Sequence, residues 1–486
     1  MEGFVFDDCM KKLFSIILTF TIGASFAQAL VSTVPLDLKK PSDRRQIFAS
    51  QMPDGTFYCF ASDKEKVVCL KYNSALFFRD SISVKLPDAD AVMAGSGFDG
   101  SGTPYLYWSS RDNSRIFTTS FNFTDRSSFK NSYTFSYETQ TFLGMFDNGG
   151  AFHILTIDDE KPILTLRTFK DGSPHENQID LLKFEVADRR GKKLKWIEAL
   201  TQFGLQIIQD GDFIPLVQSS SQIKMYLRDD NFCIALDIDP TFTQLLSVST
   251  KTFEVTETKV PQLALHETGV SKGNSFLIDS TLWQIRANDK ELVIGANLLK
   301  PITQTVHSYS AGANDKIDFR NSPLLVQNGN RKPFELSNTK KFLSRLESSQ
   351  PAISAYSSAQ GTIVTCGGVR EIADTGNIIL GATLGVGAIA VGGGGFDPGD
   401  MFDSRMLQTI YFESLFDKEA NFIKGDTNPI AVDFFSGYMG ENQQIENYYL
   451  ASIGKSKILT YYNNKQKAVV LRKFEDAPSV EEMFRR

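Results

Sequence analysis

Histidine is scarce in this chain, with four residues in 486, and tryptophan is scarcer, with three. His153, His175, His266 and His307 do not pair at metal-ligand spacing with one another or with a cysteine. No HExxH, CxxC, GxSxG or P-loop pattern occurs, so the common zinc, thiol, serine and phosphate chemistries have no local signature. The run GVGAIAVGGGG lacks the glycine spacing and the βαβ setting of a dinucleotide fingerprint. No cofactor is expected. An excess of positive charge is also missing: 51 Lys and Arg stand against 57 Asp and Glu, a net charge of −6. That balance sets nucleic acid outside the expected partners. Closely spaced carboxylates at Asp397, Asp400 and Asp403 do not follow the EF-hand loop and read as a solvated acidic turn. No catalytic or metal-binding residue can be singled out among so many acidic side chains.

What is present begins at the N-terminus. MKKLFSIILTFTIGASFAQA, from Met10, has a Lys11-Lys12 head, an apolar core over 13–22, and small residues at Ser25 and Ala27 before Gln28. This is the pattern of a secretory signal peptide of bacterial type, too short for a spanning helix. Ala27 and Ala29 give a second cleavage register before Leu30. The upstream MEGFVFDDC carries Glu2, Asp7 and Asp8 where a leader wants positive charge, which points to Met10 as the true start. Residues 1–27 are therefore read as an upstream extension plus leader, and the mature protein as periplasmic, outer-membrane-associated or extracellular.

Phenylalanine is abundant, with 39 residues, which suits half-buried pleated surfaces. Three segments align without a gap: FYCFASDKEKVVCLK from Phe57, YLYWSSRDNSRIFTT from Tyr105 and FHILTIDDEKPILTL from Phe152. Each is an apolar run, a charged turn and a second apolar run. A fourth, YYLASIGKSKILTYY from Tyr448, aligns with them. Segments from Asp210, Gly273 and Leu407 share the texture. Strands at this spacing predict an all-β chain over 28–474, a β-propeller of about seven four-stranded blades, in which each blade needs its neighbours to cover its faces. The alternative is a multi-sheet β-sandwich array. No WD, kelch, Asp-box or NHL signature marks a propeller family. ALVSTV at 29–34 is placed to complete the last blade beside KAVVLRKF near the C-terminus. Phe342, Leu343 and Leu346 stand at helical spacing and predict a short helix. The tail 475–486 reads as frayed.

Cys59 and Cys69 occupy matched apolar repeat positions at like parity across one turn. They are either two buried thiols or a cross-strand disulfide.

Between Asp374 and Asp397 the chain carries no charge, and eight of residues 376–397 are glycine. Residues 377–391 are too few for a spanning helix, and the Gly392–Gly395 run would break one. Two readings stay open. NIIL and GAIAV are buried strands, or the stretch is an exposed insertion whose Ile378, Ile379, Leu380, Leu384, Val386, Ile389, Val391 and Phe396 dock a partner.

The expected function is an exported, non-catalytic binding or scaffold protein. It would contact a protein or cell-surface glycan through a propeller face or the 376–397 insertion. A secreted propeller-type polysaccharide hydrolase or lyase is the alternative, and an outer-membrane-complex subunit, membrane-associated without spanning, is a further one. The leader gives a direct test. N-terminal mass spectrometry of the protein from its native cells is expected to find a mature chain starting at Gln28 or Leu30. A mature chain retaining residues 10–27 would contradict the leader.

Overall fold

Apolar runs broken by Asp-Gly, Asn-Gly and Gly-Gly turns fold into antiparallel hairpins, and hairpins of this length join into four-stranded meanders. The computed structural model describes residues 28–478 apart from 229–230, 300–303, 330 and 373–406. The leader, the candidate docking residues from Ile378 to Phe396 and the Asp397–Asp403 turn lie outside these residues. The described chain forms two compact units, one comprising the chain up to Leu86 with the chain from Asn428 onward, the other Pro87–Thr427.

The first unit holds two sheets. One is a meander of Gln46–Gln51, Phe57–Ser62, Lys66–Tyr72 and Phe78–Lys85. The other runs Tyr448–Ile453, Ser456–Asn463, Ala468–Phe474, and is completed by Gln28–Pro35, which pairs antiparallel with Ala468–Phe474. The expected partnership of the two terminal strands is therefore present. Burial explains the strand order. Every residue of Phe57–Ser62 is buried, whereas the outermost Phe78–Lys85 is mostly exposed. Val34, Leu38, Phe57, Leu70, Ile458 and Leu471 share one core. Arg45 locks the linker into it. Its guanidinium donates to the carbonyls of Lys39 and Leu38 at 3.1 and 3.0 Å and to Asn464, and lies 4.8 Å from the Tyr462 ring centroid.

Among the described residues the second unit holds five sheets of four or five strands in sequence order, and one two-stranded ribbon. Val92–Phe98, Pro104–Ser109, Arg115–Ser120 and Lys130–Thr134 form one; Gln140–Asn148, Ala151–Asp158, Ile163–Lys170 and Ser173–Asp180 the next. A five-stranded sheet follows, Ile223–Arg228 to Val255–Pro261, with Gln206–Gln209 added parallel on its first strand. Lys272–Ile278 to Gln304–Gly312 make a further meander. In the last, Gln350–Ser357, Thr362–Glu371 and Leu407–Phe416 take their fourth strand, Leu325–Asn328, from earlier in the chain. First strands of successive sheets meet: Ser96 bonds Asp147, and the Phe98 N–H donates to the Gly150 carbonyl at 2.9 Å.

Seven blade-type sheets, each essentially a sequential meander, make this an all-β fold of the β-propeller type, as the repeat predicts. A sandwich array would interleave strands between paired sheets, and these sheets do not. Two details differ from the sequence reading. The segments at 57, 105 and 152 are the middle hairpins of their sheets, but Tyr448 opens a first-and-second-strand hairpin, so it aligns with them one strand out of phase. The segment from Asp210 contains a helical turn, Leu216–Ser219, before its strand. The helix around Phe342 is present as Thr339–Glu347, with Phe342, Leu343 and Leu346 buried.

The cross-strand disulfide is corrected by register. Cys59 lies opposite Leu70, and Cys69 opposite Phe60. Adjacent residues in a strand face opposite ways, so the two sulfurs point to opposite faces of the sheet. Both are buried free thiols, as are Cys233 and Cys366. Burial pushes all four thiols up, Cys233 to about 12. Since thiolate is the reactive form, all four are expected to resist a thiol reagent such as DTNB in the native protein and to react fully in denaturant. Prompt reaction of Cys59 or Cys69 before unfolding would contradict this packing.

Candidate functional site

Three side-chain groups of the second unit combine polarity with burial or an open cavity, and their geometry separates them. The first surrounds the Asp147-Asn148-Gly149-Gly150 turn. His153 is buried, with Nδ1 3.0 Å from Thr168 Oγ1 and Nε2 3.2 Å from the Asn148 carbonyl, and its ring stacks on Phe146 at 5.1 Å. Burial draws the imidazole down to about 4, against the Asn148 hydrogen bond, so it is neutral at pH 7. With both nitrogens occupied it has no free site for a proton or metal. Asp147 accepts from the Ser96 N–H at 2.9 Å and the Ser96 hydroxyl at 3.1 Å through Oδ2. Its Oδ1 is buried with no hydrogen-bond partner among the described residues. Burial raises this carboxyl to about 8, and the Ser96 bonds only partly oppose it.

The second group is a fully buried ion pair. Lys224 Nζ lies 3.2 Å from Asp237 Oδ2, with both side chains at 0% exposure. Lys224 also donates to Asn274 Oδ1 at 2.8 Å and to the Ser221 carbonyl. Asp237 accepts from the Ser275 N–H and hydroxyl, both at 2.9 Å, and from Thr243 at 2.8 Å. Such a pair is tolerable only because the remaining donors and acceptors are occupied. It ties the sheet beginning at Ile223 to the one beginning at Lys272 and offers nothing to a substrate.

The third group is open. After the strand Ser173–Asp180, Asp180 Oδ1 accepts the Leu182 N–H at 2.8 Å and turns the chain outward. Val186–Ala187 pairs antiparallel with Lys193–Leu194 as a two-stranded ribbon. Asp188 Oδ1 closes its tip by accepting the N–H groups of Arg190 and Lys192 at 2.8 and 2.9 Å, with Gly191 at φ +78°. The helix Trp196–Phe203 follows, the Glu198 carboxylate capping its start on the Lys195 N–H at 3.1 Å. Trp196, Ala199 and Leu200, at helical spacing, fix it to the core, and the Trp196 indole N–H donates to the Phe184 carbonyl at 2.9 Å.

Ribbon, helix start and the Glu160-Lys161-Pro162 turn enclose a pocket of about 200 Å³. Pro162, Leu182, Phe184, Leu194, Trp196 and Ile197 give it apolar walls, and three lysines, Lys161, Lys193 and Lys195, line it together with two carboxylates, Glu160 and Glu185. Leu182 is 72% exposed. The volume falls below the roughly 300–1,000 Å³ of sites that enclose a whole small molecule. It is the size of one bulky side chain.

Sequence reading did not anticipate this site. Its signal was visible as KFEVADRRGKKLKW, a cationic run in an acidic chain, but bulk net charge concealed it. Among the described residues no group of three or more His, Cys, Asp or Glu is placed to hold a metal ion, and no helix is long and apolar enough to cross a membrane.

No family model matches the chain, and no curated protein matches it. Among solved structures it is similar to the Nup133 β-propeller domain of Vanderwaltozyma polyspora, with 10% identity, 92% of this chain and 97% of that chain covered, and a TM-score of 0.32. It is also similar to prolyl oligopeptidase B of Galerina marginata (8% identity, 92% and 48% covered, TM-score 0.34) and to the AfRom2 CNH domain (9%, 92% and 99%, TM-score 0.28). Likeness at this level assigns neither activity nor partner.

Asp147 generates a pH prediction. Its carboxyl titrates higher in the folded than in the unfolded chain, so between about pH 4 and pH 8 the unfolded state releases a proton that the folded state keeps. This group therefore subtracts stability as pH rises through that window, by at most about 1.4 kcal/mol per pH unit. Denaturant unfolding at pH 5 and pH 8 is expected to show that Asp147→Asn flattens the decline and gains stability mainly at pH 8. An unchanged slope would mean that Asp147 is ionised in the folded protein.

Proposed function

We propose that this is an exported, non-catalytic binding protein of the propeller type that holds a partner protein at the 181–203 insertion. The observation that carries the reading is the open apolar pocket beside an exposed Leu182. A solvent-facing leucine next to an unfilled apolar cavity gains by accepting a partner's side chain, because both surfaces leave water together. A glycan is less well matched. Sugars use an exposed aromatic face, and Trp196 is only 5% exposed. Export rests on the leader pattern from Met10, whose first cleavage register precedes Gln28.

Crosslinking in native cells, read by mass spectrometry, tests the proposal with three proteins: the unaltered chain, Leu182→Glu, and a version with residues 377–395 replaced by a short polar linker. Leu182 is too exposed for its substitution to disturb folding by more than about 0.5 kcal/mol. The expected result is one defined partner captured by the unaltered and linker proteins and lost from Leu182→Glu. Capture by Leu182→Glu but not by the linker protein would move the docking element to 376–397 and sink the pocket.

A further inference from the structure

We infer that the segment held at this pocket is an acidic stretch of polypeptide centred on one bulky apolar residue, a reading that rests on the pocket being a docking site. The observation is electrostatic. Between 183 and 195 stand six cations, Lys183, Arg189, Arg190, Lys192, Lys193 and Lys195, against two carboxylates, Glu185 and Asp188, in a chain of net charge −6. The two carboxylates offset only part of this charge: Glu185 pairs with Lys193, and the Asp188 carboxylate, which also accepts the backbone N–H groups that close the turn, is stabilised by the nearby charges of Lys192 and Arg190, so four of the six cations remain uncompensated within the segment. Lys183, Arg189, Arg190, Lys192 and Lys195 are exposed and form no ion pair among the described residues.

The positive field extends past the ribbon tip. Lys272 donates to the carbonyls of Glu347 and Ser349 at 2.9 and 3.0 Å. Its ammonium is held below the usual lysine range, first by burial and then by the charge of Arg189. Cations massed on one short insertion repel one another, and an anionic partner relieves that repulsion.

Pocket and charge together select the chemistry. A cation cluster alone would suit any polyanion. The pocket adds a demand for one apolar side chain, which nucleic acid does not supply. A membrane surface is met by several projecting apolar groups; here Leu182 alone projects, and Phe184, Leu194 and Trp196 wall a cavity. An extended acidic peptide supplies both terms: its apolar residue fills the cavity beside Leu182, and its carboxylates meet Arg189, Arg190, Lys192 and Lys195.

The test uses the protein from Gln28 onward and fluorescein-labelled peptides with Leu, Ile, Phe or Trp at the centre of a Glu/Asp-rich sequence. Their controls have every acid replaced by its amide, or the central residue by Ala. Anisotropy is expected to show saturable binding of at least one acidic peptide. Binding should weaken about tenfold in the amide form, in the Ala form, in Leu182→Glu and in Arg189→Ser/Arg190→Ser/Lys192→Ser, and should fall with added salt. Amide and acidic forms binding alike, with Leu182→Glu still abolishing both, would overturn the acidic partner and leave the pocket reading intact. Failure of every peptide would overturn both readings. Binding to phosphatidylglycerol vesicles without peptide binding would assign the patch to a membrane. Self-association lost in the triple variant, again without peptide binding, would assign it to a second copy of the chain. Each of these last two results overturns the inference.

Discussion

A four-stranded antiparallel sheet in this chain has two apolar faces and cannot bury both alone. Phe57–Ser62 is buried at every position, and Ile163–Lys170 at all but its ends. Strands of that kind need packed surface above and below. The rest of the architecture follows. In the meanders that end at Phe78–Lys85, Lys130–Thr134, Ser173–Asp180 and Val255–Pro261, the polar last strand forms the outer edge. At roughly 25 cal/mol per Å² of apolar surface removed from water, the stacking of sheets outweighs any single polar contact. The polar contacts that do enter the core, Ser96 with Asp147 and the Lys224 network, bridge one sheet to the next.

Local physics was legible in the sequence, and non-local pairing was legible only for the two terminal strands. The hairpins from Phe57, Tyr105 and Phe152 and the helix carrying Phe342, Leu343 and Leu346 follow from periodicity within a dozen residues. The terminal strand was legible because only one apolar run stood unpaired at each end of the repeat. Leu325–Asn328 was not, since it joins Leu407–Phe416 across a long intervening segment, and neither was Gln206–Gln209, which pairs parallel. Cys59 and Cys69 show the limit most clearly. Like parity in an alignment says that both are buried, but the register of the turn decides which face each sulfur takes, and it separates them.

The candidate site was hidden for a related reason. Net charge sums over the whole chain and erases a local reversal of sign. Only when the ribbon Val186–Ala187 and Lys193–Leu194 stands out from the sheets do its cations become one surface. Its apolar counterpart comes from three separate places in sequence: Pro162, Leu182 with Phe184, and Trp196. The insertion departs from the meander and presents its cations on a connecting segment, where binding residues on rigid scaffolds are commonly found.

The pairing of Gln28–Pro35 with Ala468–Phe474 also sets an order of events. The strand that leaves first must wait for the strand that arrives last, and until then each presents an open edge able to pair with another chain. Closing so long a loop is slow in chain-entropy terms although its free-energy cost grows only logarithmically with length. A chain synthesised N-terminus first thus spends its synthesis with its own first strand unpartnered. Shielding of that edge, by a chaperone or by speed, becomes a condition of reaching the folded state.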